Sequence, residues 1–571
     1  MSTIDWIVLA ATLLLIVIYG IWKSRGTRDM DGYFLGNQSL PWFHVGLSVM
    51  ATQASAITFL SAPGQAFSDG MRFVQFYFGL PLAMIVLCIT FVPIFHKLKV
   101  YTAYEFLEQR FDLKTRAFTA FLFLIQRGLS TGISIYAPAI ILSTILNINS
   151  TYTTLFMGGL VIVYTVYGGT KAVSYTQLLQ MSIIFSGLFF AGFVVVSLLP
   201  DNVGFGDALH IAGSMDRMNV IDWKFDWDNR YNVWSGIIGG FFLQLSYFGT
   251  DQSQVGRYLT GSSVNQSRLG LIMNALIKIP MQFFILLIGV LVFSFYQYNQ
   301  PPVFFNQYEV NQIQKSRYAD DYKQIESEYK EKFEERKLKV LALEKDIENP
   351  LLKSEIKAAD QELKTVRNKA LDLMEKNNPQ ANTNDTNYIF LSFVTQYLPK
   401  GLIGLLIAII FLASMGSIAS AFNSLASTTA VDIYKRLINK NASEQSYMSF
   451  SRASTVVWGI VSIAMALYAG KMGNLIEAVN ILGSLFYGTI LGIFVVAFYV
   501  KRIGGNAVFY AAVIAEIMIC AVYYFELMAY LWLNVLGCVL VVVLGLLFEG
   551  INPGKKNLPG NRYGQADEIK T

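Results

Sequence analysis

Residues 401–432 read GLIGLLIAIIFLASMGSIASAFNSLASTTAVD. The stretch up to Leu412 is apolar enough for a membrane span, but from Ala413 the same helical run fills with Ser, Thr and Asn. A helix facing lipid has no use for these groups. At membrane depth, such side chains pack helices closely or line a site for something polar. The first reading makes a structural membrane protein, the second a transporter.

Outward from this stretch, the 571-residue chain is 54% hydrophobic and 15% charged. Apolar runs of spanning length recur along most of it, each near the ~20 residues that a helix needs to cross hydrocarbon. We expect an all-α polytopic membrane protein with thirteen spans, at about 5–22, 42–66, 74–95, 118–147, 153–168, 175–199, 234–255, 267–298, 398–433, 452–470, 474–500, 505–525 and 527–548. The divisions are 1–309 with spans one to eight, a charged insertion at 310–378, spans nine to thirteen within 379–550, and a tail at 551–571.

Short-loop charges orient the chain. Lys23, Arg25 and Arg28 follow the first span; His96, Lys97, Lys99, Arg110, Lys114 and Arg116 share one loop. Lys435, Arg436, Lys440 and Arg452 share another, followed by Lys501 with Arg502 and by Lys555 with Lys556. By the positive-inside rule these sides are cytoplasmic. The N-terminus is then outside, the C-terminus inside, and the protein sits in a cytoplasmic (inner) membrane. The net charge of +5 is an orientation signal, and no nucleic-acid partner is expected. The start carries Asp5 and lacks a basic region, so it reads as a span and not as a cleaved leader.

Cys88, Cys520 and Cys538 all lie in apolar runs, which argues against a disulfide framework and leaves no zinc spacing. With no nucleotide loop, no nucleophile–base pair and only His44, His96 and His210, the chain does not read as an enzyme.

The insertion differs from everything around it. Tyr318, Tyr322, Ile325, Tyr329 and Phe333 recur at helical spacing, as do Leu363, Val366 and Ala370. We expect two amphipathic helices turning near Asn349–Pro350, packed on each other or offered to a protein partner.

Several spans carry polar residues where a helix should break or line a path. Ala51–Thr52–Gln53–Ala54–Ser55 is small and polar; if the helix unwinds there, the carbonyls of Ala51 and Ala54 are free for a small cation. Gln244, Ser246 and Tyr247 lie in the seventh span, with Asp251 and Arg257 read as its cytoplasmic end. Lys278 and Arg127 either snorkel or line a solute path. Glu477 and Asn480 either approach that path or lie near its mouth.

These residues join a set of motifs: YFLGNQSLPW near Tyr33, YTAYEFLEQRF at 101–111, YGGTKAVSYTQLLQ at 167–180, YFGTDQSQVGRYL at 247–259 and NSLASTTAVDIYKR ending at Arg436. With them the chain resembles the sodium:solute symporter family over essentially all spans. ISIYAPAIIL at 133–142 resembles the branch of iodide, multivitamin and monocarboxylate transporters. The resemblance implies a LeuT-like core of two inverted five-helix repeats, spans two to six and seven to eleven, and alternating access. It implies a sodium ion held by backbone carbonyls of Ala51, Ala54 and Ala413 with the hydroxyl of Ser417. The family's second hydroxyl falls on Gly416, leaving water, Ser414 or Ser420 to compensate. A further sodium site in some members uses a carboxylate where this chain has Gln177, and a serine where it has Ala419, so one sodium per solute is expected. Solute contacts by the same resemblance are Thr58, Gln244, Tyr247 and Lys278, beside Arg127, Glu477 and Asn480. The expected function is sodium-coupled uptake of a small solute: a sugar, inositol, carboxylate or other anion. A proton-coupled or uncoupled carrier, or a sensor built around the insertion, is the alternative.

Overall fold

The computed structural model describes residues 1–24, 38–98, 100–379 and 381–551. The described backbone is helical apart from turns, loops and one isolated bridge between Leu40 and Gly261. Among the described residues, nine helices are long and apolar enough to cross a membrane, and Thr3–Ile16 and Ser150–Val166 are shorter apolar stretches. Arg25, Arg28, Tyr33, Lys99 and the tail from residue 552, with Lys555 and Lys556, lie outside the described residues.

Leu402–Thr428 runs through the middle of the bundle: 89% of its apolar window is buried, against 33% for Glu444–Ala469 and for Gly505–Tyr524. That placement keeps its hydroxyls away from lipid. Its start is capped from far away in the chain. The Asp5 carboxylate accepts the N–H groups of Gly401 (2.6 Å) and Gly404 (3.3 Å), which satisfies two orphan donors and complements the helix dipole.

Two breaks occur near this central helix. Trp42–Gln53 ends at Ala54 and Ser55, both in non-helical conformations, before Ala56–Asp69 begins. Gly240–Thr250 ends at extended Asp251, before Gln252–Tyr258. The helix Val264–Tyr298 packs against the first broken pair so closely that a Cβ on Gly289 would lie 2.2 Å from the Pro63 carbonyl oxygen. Glycine is what lets the backbones approach.

The expected spans 153–168 and 175–199 fall within the helical run Ser150–Ser197 as two apolar stretches, Ser150–Val166 and Thr176–Ser197. Tyr164 hydrogen-bonds Thr176 through their side chains. A single straight helix would hold these residues ~18 Å apart along its axis, so the second stretch folds back on the first.

The insertion forms the helices Ala319–Lys345 and Pro350–Asn377, with Asn349 capping the second through the N–H groups of Leu351 and Leu352. Lys369 meets Glu328 (2.7 Å), Lys332 meets Glu362 (3.0 Å) and Arg336 meets Asp360 (3.0 Å), an antiparallel register. Tyr322, Tyr329, Phe333, Leu363, Val366 and Ala370 share an apolar core separate from that of the bundle. Near the turn, Val340, Leu343 and Ile356 instead join the bundle's own core, so the insertion is docked at that end.

Candidate functional site

The first break frees particular backbone oxygens. In an unbroken helix the Ala51 carbonyl would accept from Ser55 N–H, and that of Ala54 from Thr58 N–H. Here Ser55 N–H bonds Gln53 (3.1 Å) and Thr58 N–H bonds Ser55 (3.0 Å) instead. The carbonyls of Ala51 and Ala54 have thus lost their helical donors beside the C-terminal, electronegative end of Trp42–Gln53. Across from them, Ser417 donates its hydroxyl proton to Ser414 O (3.1 Å), which leaves the Ser417 oxygen lone pairs open. Ala413 is buried, and the Ser414 hydroxyl is buried without a hydrogen-bond partner.

Next to this cluster the Ser420 hydroxyl is fully engaged. Ser420 Oγ accepts from Gln177 Nε2 (3.3 Å) and from Arg257 Nη2 (2.7 Å), and donates to Gly416 O (2.9 Å). Gln177 in turn accepts from Ser48 Oγ (2.7 Å). With a neutral amide and a guanidinium as neighbours, Ser420 does not stand in for the hydroxyl missing at Gly416. A Cβ on Gly416 would meet Gln180 Oε1 at 2.9 Å, the far end of a flexible side chain.

A cavity of about 110 Å³ lies between the breaks. Of the residues expected from sequence, Thr58, Arg127, Tyr247, Ser417 and Asn480 line it. Gln244, Lys278 and Glu477 do not. Gln244 is buried with both amide atoms unpartnered, and Lys278 is wholly buried behind Tyr77, its Nζ 5.8 Å from that ring and without a hydrogen bond. So Lys278 does not snorkel. Asn274 and Gln282, one turn to either side, are also buried with unpartnered amides. Glu477 belongs to a network at the end of the bundle. It accepts from Arg230 (2.7 Å) and Tyr231 (2.9 Å), while Gln65 links Asn474 to Asp69.

The second break corrects the reading of Asp251 as a helix end in the cytoplasm. Asp251 is 1% exposed and caps Gln252–Tyr258 through Ser253 N–H (2.9 Å). Its other oxygen pairs with Arg127 and accepts from Tyr487 OH (2.8 Å). The Arg127 guanidinium lies 5.5 Å over the Tyr247 ring, and its Nε has no partner. Tyr247 OH accepts from Gln254 (2.6 Å). Tyr487 carries no sequence signal that sets it apart from other aromatic residues in apolar runs; only the fold brings it to Asp251.

At the other end of the central helix, Arg116 joins Asp432 (2.6 Å) to Glu108 (2.8 Å), and Arg436 also holds Glu108. This pins the start of Leu113–Leu146 to Thr429–Ile438.

The profile of the Sodium:solute symporter family matches residues 33–315 and 374–515. The chain is 25% identical over 553 residues to the Sodium/sialic acid symporter SiaT of Proteus mirabilis (strain HI4320), covering 95% of this chain and 94% of the relative. It is 26% identical over 495 residues to Sodium-coupled monocarboxylate transporter 1 of Homo sapiens, covering 86% and 68%. A solved structure of a substrate-bound, outward-open Na+-coupled sialic acid symporter is similar with a TM-score of 0.75 at 23% identity, covering 96% of this chain and 98% of that one.

Proposed function

Because this chain belongs to the Sodium:solute symporter family, we propose a specific division of labour within its central cavity. The protein is a multi-pass, sodium-coupled symporter that imports a small organic solute by alternating access, as its homologues do; it is not an enzyme. In our reading the core is LeuT-like, with inverted five-helix repeats and thirteen crossings, the N-terminus outside and the insertion on the extracytoplasmic face. The two broken helices beside one buried, unbroken helix support that architecture.

Sodium is bound by the carbonyls of Ala51, Ala54 and Ala413 and by Ser417 Oγ. The diverted donors at Ser55 and Thr58 support this assignment. One sodium accompanies each solute. The saturated Ser420, flanked by Gln177 and Arg257, supports that stoichiometry, because a bare cation gains nothing beside a guanidinium.

The solute is a small carboxylate. The carrying observation is Arg127, a guanidinium on the cavity wall whose only ion-pair partner among the described residues is Asp251. Arg127 keeps an unused Nε–H for an incoming carboxylate, and Asp251 retains Tyr487 and Ser253 when the guanidinium turns away. Ser55 and Thr58 place the N-terminal end of Ala56–Asp69 at the same cavity, a further pole for negative charge. The named substrates of two relatives, sialic acid and monocarboxylate, fit this class. Thr58, Tyr247 and Asn480 would contact the rest of the solute. Because Asp251 caps the second half-helix, solute at Arg127 acts directly on a helix break, which gives binding a route to the change of access.

The test is uptake into proteoliposomes from a panel of sugars, inositols, monocarboxylates, sialic acid and halides, under imposed sodium or proton gradients. Sodium-driven uptake restricted to carboxylates is expected. Transport confined to neutral sugars would overturn the carboxylate assignment.

A further inference from the structure

A second cavity, of about 160 Å³, lies where the insertion meets the bundle. Phe67 from Ala56–Asp69 and Phe293 from Val264–Tyr298 form part of its wall, and Leu363 closes it from the insertion. Four cationic side chains line it, Arg217, Arg336, Lys364 and Arg367, against a single carboxylate, Asp360. Asp360 is already engaged by Arg336 (3.0 Å) and Lys364 (3.0 Å), and Arg367 pairs with Asp385 outside the lining. Counting both carboxylates, two positive charges remain in excess.

Arg217 is the clearest unmet demand. Its guanidinium makes no ion pair and no hydrogen bond among the described residues; it sits 4.9 Å over the Phe293 ring, and its Nε is buried. Asp360, Asp69 and Asp216 act on it only at longer range. Nε of Arg336 and Nε of Arg367 are likewise buried without partners. Three guanidinium N–H groups left unsatisfied around one partly apolar cavity are costly unless an acceptor arrives. An acceptor that answers several guanidinium groups at once is an oxyanion. A water occupies about 30 Å³, so the space suits a small ion with some of its hydration.

We propose that this cavity is a second anion site, separate from the central one, which takes a small oxyanion of the carboxylate, sulfate or phosphate class. The family profile stops at residue 315 and resumes at 374, so Arg336, Lys364 and Arg367 belong to a segment that the family match leaves out. The site also reaches the broken helix. The Arg217 carbonyl accepts from Met71 N–H (2.9 Å), directly after the half-helix that brings Thr58 to the central cavity. A bound oxyanion ties the insertion, through Arg336 and Arg367, to the far end of that half-helix.

The experiment uses the full chain in lipid nanodiscs. Its thermal midpoint is measured in sodium acetate, sulfate and phosphate against sodium chloride, at matched sodium concentration and ionic strength. At least one oxyanion should raise the midpoint above the chloride value, as any ligand selective for the native state does. Arg217→Gln and the rim variant Lys364→Glu should lose the rise, while Arg127→Gln in the central cavity should keep it. No rise with any of the three anions, or an equal rise in Arg217→Gln, overturns the site. Loss of the rise in Arg127→Gln places the ion in the central cavity and also overturns it. Uptake by Arg127→Gln tests the central carboxylate assignment separately.

Discussion

At the scale of single residues, the proposed cation site draws on backbone and small side chains that stand out in the sequence. Ala51–Ser55 and Ala413–Ser417 stand out in apolar runs, and the observed break diverts the donors of Ala51 and Ala54. Ser417→Ala should therefore raise the half-saturating sodium concentration by about 10- to 100-fold, the loss of one bond to a charged partner. Sodium titration of uptake reads this directly, and an unchanged value would move the cation elsewhere. Gly416→Ser restores a second hydroxyl if the Gln180 amide yields, and should lower that concentration. The solute side was only partly legible. Arg127 was found by its cost at membrane depth, but Asp251 looked like a helix terminus and Tyr487 like any buried aromatic. Sequence spacing does not say which helices meet. Arg127→Gln should weaken carboxylate binding by roughly 2–5 kcal/mol, measured as solute affinity at saturating sodium.

At the scale of elements, period and caps carried the insertion. Its apolar spacing and Asn349–Pro350 mark two helices and their turn, and the observed turn lies at those residues. Two contacts between elements carry predictions. Arg116→Met leaves Asp432, which is 0% exposed, as an uncompensated buried charge and should cost about 3–5 kcal/mol in a denaturation assay. Glu108, in the same network, gives a pH signature. Burial pushes its carboxyl up, but the hydrogen bonds and charges of Arg436 and Arg116 outweigh burial and hold it below the ordinary 4.5. Its stabilising contribution is therefore complete above that ordinary value and is lost as pH falls through the lower folded value. A pH series comparing the native chain with Glu108→Gln should show a stability gap that closes on the acid side.

At the scale of the whole molecule, hydropathy and motif order sufficed for class and family, since membrane spans and half-helix breaks leave marks in composition. What they left out is how the bundle distributes charge. One guanidinium lines the central cavity at Arg127, another lies beside Ser420 at Arg257, and a third lies at Arg217 under the insertion. The central claim is that one sodium, held by Ala51, Ala54, Ala413 and Ser417, drives uptake of one small carboxylate. The most direct measurement is initial uptake of the transported carboxylate into proteoliposomes as a function of external sodium. The account predicts a hyperbolic curve that shifts to higher sodium in Ser417→Ala and keeps its shape. A sigmoidal curve, or uptake indifferent to sodium, would contradict it.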